Sequence, residues 1–205
     1  FVEKYQKPLL VTVLIIILVV AGFLSVRHFY FQPREVKAQA AMYKGEIYFA
    51  KDSFELALKG NGADFVGFEA IADDYSSTKA GNLAAAYAGI CYYNLGKDAE
   101  ALAYLKKFDG DDAFLSPNIE AMIGNCYANM DQYDDAIKAF EKAAKKADNE
   151  MASPIFLQKA ATVAEKMGNY KKALDFYQKI KDEYSQSMIG RDIDKYIERA
   201  KAHVK

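Results

Sequence analysis

The stretch Gly89-Ile-Cys-Tyr92-Tyr-Asn-Leu-Gly-Lys-Asp-Ala-Glu-Ala101 carries the pattern that decides the fold. In it a small residue is followed three positions later by an aromatic residue, and nine positions after that by alanine. Similar triplets recur along the chain: Gly45/Tyr48/Ala57, Gly124/Tyr127/Ala136 and Ala161/Ala164/Ala173. A recurrence of small and aromatic positions at a nearly constant period is typical of stacked helical hairpins, an architecture that serves binding rather than catalysis.

Each copy predicts one hairpin, in which the small residue of helix A lets helix B approach closely. The copies begin 44, 35 and 37 residues apart, against about 34 in an ideal tetratricopeptide repeat. The first period is longer because Lys59-Gly-Asn-Gly-Ala-Asp64 contains two glycines, which predict a loop inserted in the middle of helix B. After this loop, Phe68 and Ile71 take the places that Leu105 and Phe108 hold in the next repeat.

A second internal match supports this register. The segment Ile71-Ala-Asp-Asp-Tyr75-Ser-Ser-Thr78-Lys-Ala-Gly81 parallels Ile180-Lys-Asp-Glu-Tyr184-Ser-Gln-Ser187-Met-Ile-Gly190, about three periods later. We therefore predict an all-α tetratricopeptide-repeat solenoid of about four hairpins, at 38–81, 82–116, 117–153 and 154–188, with a C-terminal cap helix at 190–204. A generic helical bundle is the competing interpretation. It is disfavoured because three positions of the pattern recur in the same order in all four repeats.

The composition of the chain limits the classes of function that it can have. The 205 residues carry 27 basic and 28 acidic side chains, a formal net charge of -1, so the clustered basic face that nucleic acid requires is not expected. The two cysteines, Cys91 and Cys126, occupy the same position in successive repeats. Equivalent positions in neighbouring hairpins are about 9–10 Å apart, too far for a disulfide, so we expect free thiols.

An uncharged run of 19 residues extends from Pro8 to Val26. As a helix it measures about 28 Å, close to the hydrocarbon thickness of a bilayer. Phe29, Tyr30 and Phe31 follow the run and suit the membrane interface. A cleaved signal peptide is the alternative, but the run exceeds the usual 7–15 residues and no Ala-x-Ala follows it. We predict one transmembrane helix within an anchor at 1–33, with the repeat domain at 34–205.

The span also offers a surface for an intramembrane contact. The candidate residues form a helical stripe and a small-residue notch: Leu9, Val13, Ile17, Val20, Ala21, Gly22 and Leu24. Packing on this surface and plain exposure to lipid are equally compatible with the pattern. Basic residues flank the span on both sides, so the charge distribution does not decide the orientation.

The residues that carry chemistry are sparse. Only two histidines are present, His28 beside the span and His203 near the end of the chain, so neither a zinc site nor a catalytic triad is expected. Gly60-Asn-Gly62 lacks the residues of a phosphate-binding loop. Asp109 and Glu120 fit a calcium loop, but Phe114 stands where its glycine belongs. We expect no enzyme activity, no cofactor and no metal.

What remains is a binding surface. In such a stack the A helices line the concave side, and the register assigns a partner-binding groove to these residues: Met42, Glu46, Phe49, Leu83, Ile90, Tyr93, Asn94, Asn118, Asn125, Asn129, Gln158, Thr162, Glu165 and Lys166. The groove is apolar near the membrane and rich in amides at its centre. Among these positions only Lys166 is basic, which disfavours a clamp for two carboxylates. For Met42 and Phe49, packing against a neighbouring helix is the alternative role.

With these features in place, the chain resembles the YfgM-type family of single-pass tetratricopeptide-repeat proteins of the bacterial envelope, in a form similar to those of Bacteroidota. The resemblance is carried by Tyr48–Gly60, Gly67–Ala84 and Gly89–Leu105. It implies an inner-membrane anchor, a periplasmic repeat domain and association with the Sec translocon. It also implies a membrane-anchored periplasmic chaperone of the peptidyl-prolyl isomerase type as a partner.

Two hypotheses about function follow. In the first, the chain is a non-enzymatic accessory subunit of the Sec translocon that binds a chaperone or client through its groove. In the second, it is a structural scaffold of another envelope assembly, contacting its partners through the convex face or the cap helix.

Overall fold

The computed structural model describes residues 2–204, with side chains from Leu9 onward. Within residues 2–204 all regular structure is helical. The elements in chain order are α1 (Val2–Val26), a π-helical turn (Arg27–Phe31), α2 (Gln32–Phe49), α3 (Phe54–Lys59), α4 (Phe68–Asp74), α5 (Lys79–Asn94), α6 (Asp98–Leu105), α7 (Leu115–Asn129), α8 (Tyr133–Ala147), α9 (Ser153–Lys166), α10 (Tyr170–Glu183), α11 (Met188–Arg191) and α12 (Asp194–His203).

The first three elements form one continuous helix. The N–H of Gln32 donates to the carbonyl of Arg27, five residues earlier. Pro33 follows directly; it lacks an N–H and its ring crowds the carbonyl four residues before it, and a widened turn relieves that crowding. One helix, Leu9–Phe49, is by length and composition able to span a membrane. We call residues 27–49 the stalk; the predicted domain division at 33/34 falls inside it and stays a prediction.

Four hairpins follow one another along the stack: α2 with α3 and α4, α5 with α6, α7 with α8, and α9 with α10. A Cβ atom on the pattern glycine would come within 2.6–2.8 Å of a helix B side chain in three of them: Gly45 against Phe68, Gly89 against Leu105, and Gly124 against Phe140. The helix B alanines of the pattern have no exposed surface: Ala57, Ala101, Ala136 and Ala173. These crossings are the ones that the register predicts, so the predicted all-α repeat stack is confirmed.

The predicted loop in the first hairpin separates α3 from α4. Gly60 and Gly67 adopt φ values of 85° and 93°. A Cβ on Gly60 would come within 2.2 Å of the Phe65 carbonyl oxygen, and a Cβ on Gly67 within 2.3 Å of the Leu58 carbonyl oxygen. The Asn61 side-chain oxygen accepts hydrogen bonds from the N–H groups of three following residues, 63–65, each at 3.1 Å. These bonds stabilise the loop that precedes α4. In this loop Phe65, only 4% exposed, packs against Gly45.

The internally matched segments form the same capped turn twice. The Thr78 hydroxyl donates to the Tyr75 carbonyl at 2.7 Å and accepts from the Gly81 N–H at 2.9 Å. Ser187 makes the equivalent bonds to Tyr184 and Gly190, at 2.7 and 2.9 Å. A Cβ on either glycine would lie within 2.0 Å of the tyrosine carbonyl oxygen. The motif therefore marks the end of a helix B, after which the chain enters α5 in the first copy and α11 in the second.

Helix boundaries depart from the predicted ones. α5, α7 and α9 begin at Lys79, Leu115 and Ser153, one to three residues before the predicted hairpin starts; for α5 this follows from the cap at Thr78. The C-terminal cap predicted at 190–204 is helical, but it is not one continuous helix. It consists of α11 and α12, separated at Asp192 and Ile193, and this break accompanies the burial of Ile193, which is 1% exposed.

Candidate binding groove

The A helices α7 and α9 enclose a cleft on one face of the stack. Two adjoining pockets of about 420 and 300 Å³ form it, and both are lined by Asn125, Ile155 and Lys159. We call the combined depression the α7–α9 cleft. Its volume is within the range of small-molecule binding pockets in proteins, about 300–1,000 Å³.

Three apolar side chains at the wall of the α7–α9 cleft are exposed to solvent. Phe114 is 83% exposed, Met151 81% and Ile155 42%, and all three line the larger pocket. Clustered exposed apolar side chains of this size in a concave site are characteristic of surfaces that bind another molecule.

Side-chain-to-backbone hydrogen bonds hold the backbone in place at two of these residues, Phe114 and Met151. The Asp112 carboxylate accepts from the N–H groups of Phe114 and Leu115, at 3.0 and 2.5 Å. Those backbone hydrogen bonds, with the Leu115 bond contributing most, lower the Asp112 pKa despite slight desolvation. On the opposite wall the Asn149 side-chain oxygen accepts from the N–H groups of Met151 and Ala152, at 3.0 and 2.8 Å. The backbone that carries the two most exposed side chains is therefore fixed by local hydrogen bonds.

The floor of the α7–α9 cleft is polar and carries one cation. Lys159 donates to the Asn125 side-chain oxygen at 3.1 Å, and its ammonium group lies 5.6 Å from the centre of the Phe140 ring. Lys159 is the one charged residue among those lining the two pockets. The sequence reasoning missed it because the register assigned Gln158 and Thr162 to the groove and passed over Lys159, which directly follows Gln158.

The predicted groove residues are distributed over several environments. Four of them line the α7–α9 cleft: Asn118, Asn125, Gln158 and Thr162. Three line a smaller cleft of about 240 Å³ between α2 and α5: Met42, Glu46 and Leu83. Met42 is only 3% exposed, and the Phe49 ring packs edge-on against Phe54 and Tyr87, with centroids 5.6 and 5.0 Å apart. Both therefore have the alternative packing role, and the predicted residues that line clefts are divided between these two clefts.

Other predicted residues are engaged within the chain. Asn94 and Asn118 donate to carbonyls one turn earlier in the chain, those of Ile90 and Phe114, at 2.8 and 2.7 Å. Asn129 donates to Asp98 at 3.0 Å. Tyr93 is half-buried, and burial, the largest cause, raises its pKa. The amides at the centre of the stack are thus partly committed to internal bonds.

Glu165 and Lys166, at the end of α9, also have partners. Glu165 receives two hydrogen bonds from the Arg199 guanidinium of α12, at 2.6 and 3.3 Å. Lys166 lies 3.6 Å from Asp131 and 4.8 Å from the centre of the Tyr133 ring. Glu165 therefore fastens the C-terminal helix to the last hairpin.

The predicted membrane-span residues are all exposed on the isolated chain: Leu9, Val13, Ile17, Val20, Ala21, Gly22 and Leu24. A Cβ on Gly22 would meet no atom within 4 Å. The chain itself therefore covers neither the stripe nor the notch, and both the intramembrane contact and plain lipid exposure stay predictions.

The two cysteine side chains lie in the hydrophobic core. Cys91 and Cys126 are free and buried, and desolvation raises the pKa of each thiol to about 12, which suppresses the nucleophilic thiolate. Among the described residues 2–204, no group of three or more His, Cys, Asp or Glu side chains is arranged to hold a metal ion.

Comparison with known protein families identifies a repeat in these helices. Two models of the tetratricopeptide repeat match the chain, one at residues 121–150 and the other at 87–109 and 157–187. The matched segments coincide with α7–α8, most of α5–α6, and α9–α10. No curated protein matches the chain significantly. The fold is an all-α tetratricopeptide-repeat solenoid preceded by a long apolar helix, and its repeats indicate a protein–protein interaction adaptor.

Proposed function

We propose that this chain is a non-enzymatic, membrane-anchored adaptor that binds a protein segment in its α7–α9 cleft. The observation that carries the proposal is the exposure of Phe114 and Met151 at 83% and 81% on backbone that Asp112 and Asn149 hold in place. Preorganised apolar anchors bind without a large ordering cost. Covering each side chain contributes about 1.5–3 kcal/mol.

The chemistry of the cleft describes the segment that fits it. An apolar side chain of the partner packs between Phe114 and Met151, while its backbone or a carboxylate meets Asn125 and Lys159 on the floor. Binding at a few micromolar, about 7–8 kcal/mol, is an ordinary affinity for one such surface.

The long N-terminal helix supplies the attachment. We propose that its apolar part spans the bacterial inner membrane and that the solenoid lies in the periplasm. In this proposal the chain is an accessory subunit of the Sec translocon, and a peptidyl-prolyl isomerase-type chaperone, itself membrane-anchored, works with it during protein export. The support for this finer proposal is the resemblance carried by Tyr48–Gly60, Gly67–Ala84 and Gly89–Leu105.

Site-specific photocrosslinking in intact membranes tests the binding site. A photoreactive residue at Asn118, exposed at the α7–α9 cleft, is expected to capture a protein partner. A probe at Lys145, exposed at the opposite face between α8 and α10, is expected to capture none. Capture of a translocon subunit or a periplasmic isomerase supports the finer proposal. Capture at Lys145 alone contradicts the cleft and favours a scaffold that uses its convex face.

A matched pair of variants separates specific binding from general hydrophobicity. Replacing both Phe114 and Met151 by Ser is expected to reduce capture at Asn118 about tenfold or more, since two apolar anchors are lost. Met188 is 88% exposed but lies on α11, so Met188→Ser is expected to leave capture unchanged. Equal losses in the two variants contradict a specific site.

A further inference from the structure

A further cleft lies between the N-terminal part of the stalk and the turn that joins α4 to α5. It has a volume of about 340 Å³ and is lined on one side by Arg27, Phe31 and Glu35 of the stalk and on the other by Ser77 and Lys79 of the turn between α4 and α5. We call it the stalk–turn cleft. It brings together two basic side chains and a hydroxyl group that are about 50 residues apart in the sequence.

The stalk–turn cleft has a defined height relative to a bilayer. The uncharged run ends at Val26, and Arg27 is the first charged residue after it. The headgroup layer extends about 5–7 Å beyond the hydrocarbon on each side, and Arg27, one residue past the uncharged run, lies within it when the helix spans the bilayer. Arg34 lies about 10 Å further along the stalk and donates to the Asp74 carbonyl. The α4–α5 turn therefore meets the stalk on the aqueous side of the headgroup layer, and the cleft lies between that turn and Arg27.

The charge of the stalk–turn cleft favours an anion. Neither Arg27 nor Lys79 forms an ion pair within the described part of the chain, residues 2–204. The one carboxylate in the cleft, Glu35, already accepts from the backbone N–H groups of Lys79 and Ala80 at 2.7 and 3.2 Å. With two cationic side chains and one carboxylate the cleft carries a formal charge of +1. An incoming anion is attracted to Arg27 and Lys79 and can accept a hydrogen bond from the Ser77 hydroxyl.

We propose that the stalk–turn cleft binds the phosphate of an anionic phospholipid in the membrane that the helix spans. The inference rests on the proposed membrane insertion. Phe31, 40% exposed at the cleft, and Phe29, 77% exposed beside it, offer apolar surface to the glycerol and acyl region. A net negative headgroup is favoured over a zwitterionic one because two cations face it and a choline group would repel them. The bound lipid holds the solenoid at one inclination to the membrane.

The test uses the full chain in nanodiscs that contain equal parts of phosphatidylcholine and phosphatidylglycerol. After mild extraction, native mass spectrometry counts the lipids that remain bound. The wild-type chain is expected to retain phosphatidylglycerol in preference to phosphatidylcholine. The double variant Arg27→Gln/Lys79→Gln is expected to lose about tenfold or more of that preference, and Ser77→Glu, which places an anion at the exposed edge, is expected to lose it as well.

The control variant Lys37→Gln/Lys97→Gln removes the same charge at exposed positions that do not line the cleft and is expected to retain the lipid. Equal retention by the double variant and the wild type overturns the proposal, as does equal loss in the control. Displacement of the retained lipid by millimolar inorganic phosphate overturns the assignment to a lipid. Failure of all chains to insert into pure phosphatidylcholine nanodiscs contradicts the proposed membrane insertion instead.

Discussion

Glu69 joins four helices through one carboxylate. It accepts from the Tyr92 hydroxyl of α5 at 2.9 Å and from the Tyr104 hydroxyl of α6 at 3.2 Å, and it pairs with Lys59 of α3. Burial alone would raise the Glu69 pKa, but the hydrogen bonds from Lys59 and Tyr92 together lower it below the ordinary value of 4.5. The same cluster raises the pKa of Lys59, chiefly through its hydrogen bond to Glu69.

The lowered pKa has a consequence for stability against acid. A carboxylate whose pKa is lower in the folded state stabilises that state above its unfolded pKa, and this contribution is lost as the pH falls through the folded pKa. Glu69→Gln is therefore expected to reduce the free energy of unfolding by about 1–2 kcal/mol at pH 7, with the difference from wild type shrinking below about pH 4. Urea titrations in detergent, followed by circular dichroism at pH 7 and in acid, measure both quantities.

Glu141→Gln provides the matched control, because this exposed side chain on α8 changes charge without a buried partner. Its effect is expected to stay within about 0.5 kcal/mol. A Glu69→Gln curve that runs parallel to wild type at every pH would show that the cluster contributes nothing through its charge.

Residues of the core were predictable from sequence, whereas those of the binding surface were predictable only in part. Gly89 could be recognised because its spacing repeats, and the structure gives the physical reason, since any Cβ there would lie 2.6 Å from Leu105. Phe65 and Lys159 could not. Phe65 lies in an inserted loop that has no counterpart in the other repeats, and Lys159 reaches Asn125 across the gap between two hairpins.

At the scale of elements, the N-terminal part of the stalk is fastened to the α4–α5 turn, in addition to the packing of Met42 and Gly45 within the first hairpin. The Arg34 guanidinium donates to the Asp74 carbonyl and lies 5.4 Å from the centre of the Tyr75 ring. Glu35 accepts from the first two N–H groups of α5. Because both contacts join the long N-terminal helix to the α4–α5 turn, we expect the repeat domain to keep one orientation relative to this helix.

The double variant Arg34→Ala/Glu35→Ala is expected to loosen this junction while leaving the hairpins folded. Spin labels at the exposed positions His28 and Ser76 report on it through pulsed electron–electron distance measurements. A single narrow distance is expected in the wild type and a distribution at least about twice as wide in the variant. Lys37→Ala, on an exposed face of the same helix, is expected to keep the narrow distance; a wild-type distribution as wide as that of the variant contradicts a rigid stalk.

At the scale of the whole molecule, the buried side chains form two clusters. One is built by the first two hairpins with part of α7 and α8, and includes Leu58, Phe68 and Leu105. The other is built by the third and fourth hairpins with α12, and includes Phe140 and Ile197. In a solenoid each unit contacts mainly its neighbours, so destabilisation in one cluster spreads little to the other.

Ile197 tests this division. It is 2% exposed on α12, and Ile197→Ala is expected to cost about 2–5 kcal/mol by leaving a cavity. Hydrogen–deuterium exchange is expected to quicken in α9, α10 and α12 and to stay unchanged in α5 and α6. Val204→Ala, at a position 40% exposed, is the control and is expected to change neither region. Faster exchange throughout the chain would show one cooperative core instead of two.

The sequence by itself determined the hairpin stack, its register and the apolar N-terminal helix, because these follow from local spacing: a small residue must recur wherever two backbones cross. Only the tertiary structure decided that α7 and α9 enclose the apolar cleft, that Lys159 lies on its floor and that the stalk meets the α4–α5 turn. These features depend on the distances between hairpins. Those distances arise from the packing of side chains far apart in the sequence, for which no periodic pattern exists.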